Sequence, residues 1–464
     1  MSLESKLQEV SDTKAAVKKT VAYDRLSKLF DEGTMVEFDS LVKSEGGLAE
    51  VVTAYGTIDG LPAYAFAQNG DITGGAISKA QARKIKKVYD FAAKTGAPVI
   101  GIYDSQGARL KQGGAILAAY GDMLLWSSSL SGVVPQISVI AGTCVGTNAL
   151  IASCADIVIA VKDVDFGIET NGSERKSEDV GESVHILSKT IDDALAKART
   201  LVAMLPSNNL SVALSADYNE PTVSGDELDA VSAAVGTETR VISYIIAGIV
   251  DEGSLVDFQT GHGRSVLTGL ATVNGQTVGV VSTRSRYNSG KMDANGAAKA
   301  ARFVRFCDAF SIPVITLVDT YGFETVRDAA KLMHAYAEAT TVKMAIIIGA
   351  AYGPAFVALA GRAANADFTV AWPNAVIAPL APETFTAIMY NDELKGVEDP
   401  VAKRAEIEDD YRNTLASPAA AASEGYIDDV IAPADTRATV VAALDMLASK
   451  KVSRLPKKHS NIQL

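Results

Sequence analysis

The chain is poor in the residues that most soluble catalytic chemistry is built from. It has four histidines, at 185, 262, 334 and 459, scattered and without an H-E-x-x-H pattern. That spacing gives no zinc-protease site and no histidine cluster to act as a metal cage. The three cysteines, Cys144, Cys154 and Cys307, include no C-x-x-C pair, so neither a disulfide framework nor a cysteine zinc site is indicated. No metal site is expected. Basic residues are outnumbered, 43 against 55 acidic, for a formal charge of -12, which argues against a nucleic-acid or anionic-membrane binder. No apolar run approaches the ~20 residues of a membrane span. The polar opening "MSLESKLQEVSDTKAAVKKT" has no signal-peptide core, so a cytoplasmic protein is expected.

What the chain has in quantity is itself. "KKVYDFAAKTGAPVIGIYDSQG" (86–107) returns as "ARFVRFCDAFSIPVITLVDTYG" (301–322), with Phe91 and Phe306, Pro98 and Pro313, Asp104 and Asp319, and Gly107 and Gly322 in step. "FDEGTMVEFD" (30–39) returns as "VDEGSLVDFQ" (250–259), and "ADIVIA" (155–160) as "ADFTVA" (366–371). The period is far too long for a solenoid, and short loop insertions account for the drift in spacing, so a duplicated domain is indicated. Within each copy, helical stretches alternate with continuous apolar strands such as "APVIGIYD" and "IPVITLVD". That alternation predicts an α/β fold with a largely parallel sheet. The polar, turn-rich segment 205–229 reads as the linker, giving domains over 1–225 and 226–464.

In parallel α/β structures, ligands collect where strands end and helices begin. Two loops per copy qualify: "YDSQGARLKQGG" (103–114) with "VDTYGFETVRDA" (318–329), and "AGTCVGTNALIA" (141–152) with "GAAYGPAFVALA" (349–360). The second kind runs from a buried strand through small residues into a helix, which offers free backbone N–H groups to an oxyanion. For one such loop alone, close packing of helix on sheet is the simpler explanation of the same small residues, and its occurrence in both copies shifts that balance only modestly, because duplication would also copy a structural turn. Arg109 suits a phosphate or carboxylate, or a local ion pair. Asp104 and Asp319 suit a ligand, but strand-end aspartates more often cap the following turn. Cys144, without a paired base, reads as a small core residue and His185 as structural.

At these loops the sequence resembles the carboxyltransferase family of biotin-dependent acyl-CoA carboxylases and decarboxylases. "DSQGAR" (104–109) is similar to the family's D-S-G-G-A-R, and "GTCVGTNA" (142–149) to its G-P-C-A-G-G-A. "LPSNN" (205–209), "AAKAARFVRFCDAFSIPVITLVDTYGF" (297–323), "AYAEAT" (335–340), "AYGPAF" (351–356) and "EGYIDDVIAPADTR" (424–437) also have counterparts, so the likeness covers nearly the whole chain.

The resemblance implies two duplicated crotonase-like domains, the first binding an acyl-CoA and the second biotin. It implies carboxyl transfer between biotin and the α-carbon of a CoA thioester such as propionyl- or methylmalonyl-CoA. Biotin's own nitrogen serving as the base would account for the scarcity of histidine. By motif position, Gly146 and Thr147 would donate to the thioester oxygen, while Gly353 and Ala355, with Tyr352 and Pro354, would surround the biotin oxygen. Gly74, Gly75, Gly107, Ala108 and Arg109 would lie along the CoA. A separate biotin carboxyl carrier protein is implied, since no M-K-M motif is present, and with it a biotin carboxylase or a membrane decarboxylase subunit. A homo-oligomer, most simply a hexamer, is implied as well.

Three features depart from the family pattern. Pro354 stands where the family has a glycine and can donate no N–H. Thr147 replaces another glycine, and the loop after Phe323 is shortened. Two other readings stay open: a crotonase-type hydratase, isomerase or thioesterase using only the first oxyanion loop, which has no Glu beside it and would draw its base from Glu169 or Glu383 after later strands, and a non-catalytic partner subunit of a hetero-oligomer, which Pro354 and the shortened loop support.

Overall fold

The computed structural model describes residues 2–45, 47–168, 175–236, 241–362, 364–453 and 455–461. The chain divides into two compact units, Met1–Leu214 and Ser215–Leu464. Residues 215–225, expected to close the first domain, belong to the second because their backbone bonds there. The Ala216 N–H donates to the Gly275 carbonyl at 3.0 Å and the Val223 N–H to the Ala247 carbonyl at 3.4 Å.

The first unit is built on eight strands: β1 (Val36–Phe38), β2 (Val51–Ile58), β3 (Leu61–Gln68), β4 (Val99–Ser105), β5 (Gln136–Val145), β6 (Ile157–Val161), β7 (Phe166–Gly167) and β8 (Ile186–Ser188). Their order is β1-β2-β3-β4-β5-β6-β8, with β7 paired to the far end of β5. The first two pairings are antiparallel and the remainder parallel.

The second unit repeats the plan with β9 (Val256–Phe258), β10 (Val266–Val273), β11 (Gln276–Thr283), β12 (Val314–Thr320), β13 (Lys343–Tyr352), β14 (Phe368–Ala371), β15 (Val376–Ala378) and β16 (Asp429–Val430). Order and pairing sense are the same, β15 hanging on β13 as β7 hangs on β5. The duplication read from sequence is thus a duplication of topology.

The repeated "DEG" explains how each copy fixes its register. The hairpins β2–β3 and β10–β11 turn on Asp59-Gly60 and Asn274-Gly275, all four at positive φ, as a two-residue hairpin turn with strand-matched twist requires. Asp31 accepts the N–H groups of Asp59 (3.0 Å) and Gly60 (2.9 Å), and Asp251 those of Asn274 and Gly275, both at 2.9 Å. A late helix then clamps each aspartate with an arginine. Arg199 reaches Asp31 (2.8 Å) and the Leu29 carbonyl (2.7 Å), and Arg437 reaches Asp251 (2.7 Å) and the Ile249 carbonyl (2.6 Å). The Gly60 amide and Arg199 hold the Asp31 carboxyl well below the usual range.

Helices cover the sheets through apolar stripes at helical spacing. In Lys79–Thr95, Ile85, Val88 and Ala92 are fully buried, each of the larger two contributing about 2 kcal/mol. Ser78 caps its start and left-handed Gly96 its end. The matching helix Ala294–Ala309 buries Ala300, Val304 and Cys307 behind Asp293 as cap. No described helix is long and apolar enough to cross a membrane.

Candidate active site

Three loops of the first unit meet at the C-terminal edge of β3, β4 and β5. The first follows β3 and contains Thr73, Gly74 and Gly75, all at positive φ. A side chain on Gly75 would collide with the Asp104 carbonyl, so only glycine fits there. The second follows β4 and carries Gly107, Ala108 and Arg109. It is zipped to the first: Gln106 N–H donates to Gly74 (2.9 Å), Ile77 N–H to Gly107 (2.8 Å) and Arg109 N–H to Ile77 (3.0 Å). The third follows β5, where Gly146 (φ +65°) turns the chain into the helix Thr147–Ser153.

A buried amide network ties the three together. Gln68, the last residue of β3, accepts from the Asp104 N–H (3.0 Å) and Asn148 Nδ2 (3.1 Å), and donates to Gln81 (3.1 Å). Gln68, Gln81 and Asn148 are all fully buried, so each unmade bond there carries the desolvation cost of an orphaned amide. Asp104 accepts from Arg25 at 2.8 Å, and its carboxylate fills the space that a side chain on Gly70 or Gly142 would take.

The turn itself corrects one expectation. The Gly146 N–H donates to the Gly167 carbonyl at 2.9 Å, because β7 pairs with the end of β5. It is not available to a ligand. The N–H groups of Thr147 and Asn148 have no hydrogen-bond partner among the described residues, and Thr147 is exposed. Gly146 therefore shapes the turn, and the next two residues carry its free donors.

The second unit repeats the geometry and the correction. Gly353 (φ +44°) ends β13, its N–H donates to Ala378 of β15 at 2.8 Å, and a side chain there would press on the Pro379 carbonyl. Pro354 opens the helix Pro354–Leu359, a position that suits it. The amides of Ala355 and Phe356 have no partner among the described residues. The loop after β11 again runs left-handed through Asn288, Ser289 and Gly290, and the residues after Gly290 pair in parallel with Gly322–Phe323. The short loop after Phe323 leads directly into the helix Val326–Glu338.

The surroundings of the second turn differ. Asp319 replaces Asp104, and among the described residues no arginine pairs with it. It accepts from the Ala350 N–H (3.0 Å) and from Ser285, and burial pushes its carboxyl up. Its own N–H donates to Thr283 (2.6 Å) where the first unit uses Gln68.

Arg109 lies among carboxylates. Its guanidinium pairs with the fully buried Glu50 and with Glu45 (3.1 Å), and donates to Ser44 (3.0 Å). Glu50 also accepts from Ser44 (2.8 Å) and Ser78 (2.7 Å). Cys144 is fully buried, burial pushes its thiol far up, and Asn148 donates to its sulfur, so it is no nucleophile. His185 is buried and accepts the Val158 N–H at 3.0 Å. Glu383 is ion-paired with Arg412 at 2.9 Å. Glu169 lies outside the described residues.

Comparison with known proteins gives one consistent answer. The carboxyl transferase domain model matches residues 14–462. The carboxyltransferase subunit of propionyl-CoA carboxylase from Haloferax mediterranei is 35% identical, covering 96% of this chain and 94% of that protein. The alpha subunit of methylmalonyl-CoA decarboxylase from Veillonella parvula is 36% identical over 96% and 93% of the two chains. Among solved structures, the transcarboxylase 12S hexamer with methylmalonyl-coenzyme A bound superposes with a TM-score of 0.94 at 32% identity, over 100% of this chain and 99% of the other. The two crotonase-like units, their paired strand-end turns and this full-length similarity place the chain in the carboxyl transferase family.

Proposed function

We propose that the chain is the carboxyltransferase component of a biotin-dependent acyl-CoA carboxylase or decarboxylase, acting on methylmalonyl- and propionyl-type thioesters. The observation that carries this reading is the occurrence of one oxyanion-binding turn twice. Carboxyl transfer between a thioester and biotin develops two oxyanions, one on the enolate and one on the biotin ureido oxygen. The full-length likeness to a protein solved with methylmalonyl-coenzyme A bound supports the assignment.

The first unit takes the thioester. The amides of Thr147 and Asn148 receive its oxygen, and the zipped loops of Gly74, Gly75, Gly107 and Ala108 flank the chain leading to it. Arg109 holds those loops from behind through Glu50. The second unit takes biotin, presented by a separate carrier protein. When bound, biotin supplies the nitrogen that accepts or releases the carboxyl group. The open turn fits its ureido oxygen through the free amides of Ala355 and Phe356. The functional particle is a hexamer, as in the transcarboxylase 12S relative.

The test is turnover of methylmalonyl-CoA to propionyl-CoA with and without free biotin, followed by chromatography. Biotin-dependent turnover supports the proposal. Tight acyl-CoA binding without biotin-dependent turnover of any malonyl-type ester would instead favour a partner subunit whose second turn has lost its chemistry, the reading that Pro354 favours.

A further inference from the structure

We infer that Tyr321, stacked on Tyr352 at the rim of the second turn, donates to the oxygen held there the hydrogen bond that Pro354 cannot. The inference rests on the carboxyltransferase reading and concerns a residue to which the family motifs assign no role.

The two turns align position by position in the sequence repeat, Gly146 with Gly353 and Thr147 with Pro354. The first turn therefore presents a free amide where the second presents a ring without one. The unit that lost this donor has gained two phenols beside it. Tyr321 follows β12 directly, and in the first unit its place is taken by Gln106. Tyr352 is the last residue of β13 and touches Gly353 in sequence, where the first unit has Val145. Their rings stack with centroids 5.6 Å apart and planes 26° from parallel.

Tyr321 is held in place from two further directions. Its N–H donates to the Gly290 carbonyl at 2.7 Å, and its ring lies so close over Gly290 that a side chain there would collide with it. The ring is fixed, yet the residue remains 52% exposed. Neither phenol has a hydrogen-bond partner among the described residues. Burial raises both above the ordinary tyrosine value. The carboxylates of Asp319 and Glu383 add to the rise, Tyr321 adds to that of Tyr352, and Arg412 opposes both. Both phenols therefore stay protonated, as a donor must. A stacked, pre-positioned O–H is the kind of group that strengthens a developing oxyanion without reorganisation. Tyr352 is the positioning residue of the pair, and Tyr321 is its exposed, donating member.

The experiment is a double-mutant cycle on the full chain, read as biotin-dependent kcat with methylmalonyl-CoA, with acyl-CoA binding by calorimetry as the check that the first unit is intact. Tyr321→Phe keeps the stack and removes only the hydroxyl. It is expected to lower kcat by about 10², the usual loss for one oxyanion donor, with the KM for the thioester unchanged. In a Pro354→Gly background, where an amide is restored, the same change is expected to cost at least about tenfold less, because the two donors serve one oxygen. Should Pro354→Gly fold poorly, Tyr321→Leu replaces it: the hydroxyl accounts for the effect when Phe falls nearly as far as Leu. Wild-type activity in Tyr321→Phe, or the same loss in both backgrounds, would overturn the inference and leave the carboxyltransferase reading standing. No biotin-dependent turnover by the wild type would overturn both.

Discussion

Arg109 offers the sharpest test of how the proposed acyl-CoA side is built, because motif and structure assign it different work. By motif it lies along the CoA; in the structure its guanidinium is spent on Glu50, Glu45 and Ser44. The Glu50 side chain is 0% exposed and that of Arg109 15%. Truncating Arg109 to Ala would leave a buried carboxylate with only the hydroxyls of Ser44 and Ser78 to answer it. Breaking a buried pair from one side costs about 3–5 kcal/mol. For a unit of this size that corresponds to a fall in melting temperature of roughly 6–20 °C. Ser78 also caps the helix Lys79–Thr95, so the disturbance should reach the loop of Gly74 and Gly75. Calorimetry on wild type, Arg109→Ala and the double variant Arg109→Met/Glu50→Gln measures it directly. The double variant should recover most of the loss, since no charge is left buried. An unchanged melting temperature in Arg109→Ala, together with a raised KM for the CoA ester, would refute this account and return Arg109 to the ligand.

Three further outcomes are expected. Thr147→Pro should copy the second turn into the first, removing one free amide while keeping the helix start, and lower kcat by roughly 10²–10³; unchanged turnover would take that amide out of the mechanism, as unchanged turnover in Gly146→Val would take out the turn. Burial pulls Lys84 down to about 8, against the partial support of Glu37 and Asp39. Between pH 8 and 10 the folded state then binds fewer protons than the unfolded one, so this lysine makes stability rise with pH by up to about 3 kcal/mol, and Lys84→Met should flatten that rise in denaturant titrations. On the proposed likeness to the transcarboxylase 12S hexamer rather than on this chain's own geometry, light scattering should show a hexamer at micromolar concentration, and a stable monomer would contradict that proposal.

The fold was legible because its signal is carried by long elements. The apolar strands β4, β5, β12 and β13 and the helices before them repeat in order, and duplication of such elements implies duplication of their pairing. The availability of individual N–H groups was not legible. Whether Gly146 and Gly353 can donate depends on β7 and β15, of two and three residues, too short to show a strand period. Their carbonyls reach back from beyond the next strand to take those amides. The partner of Arg109 was hidden for a similar reason. Glu50 precedes it by 59 residues and sits just before β2, where no local pattern marks it as buried. Where sequence did speak clearly was at Pro354, since the missing N–H follows from the residue type alone.

That contrast bears on how a duplicated site diverges. Both units keep an aspartate at the end of the strand behind the turn, and both leave it no room for a side chain at Gly142 or Gly349. On the proposed function, an ionised carboxylate in that position would oppose an oxyanion held by the turn, so each unit would have to quench it. The first uses a formal charge, Arg25 at 2.8 Å. In the second, the residue in step with Arg25 is Ile245, fully buried, and the aspartate is met by dipoles from Ser285 and Ala350 while burial favours its neutral form. A permanent cation suits the unit assigned to CoA, whose phosphates tolerate positive charge close by. A site with no such cation among the described residues suits biotin, an uncharged ring system, and places the selection of ligand on shape and hydrogen-bond donors. Pro354 and the tyrosine pair then belong to the same change: with the backbone fixed by duplication, the second unit alters its donors through side chains, which can be replaced one at a time without disturbing the sheet.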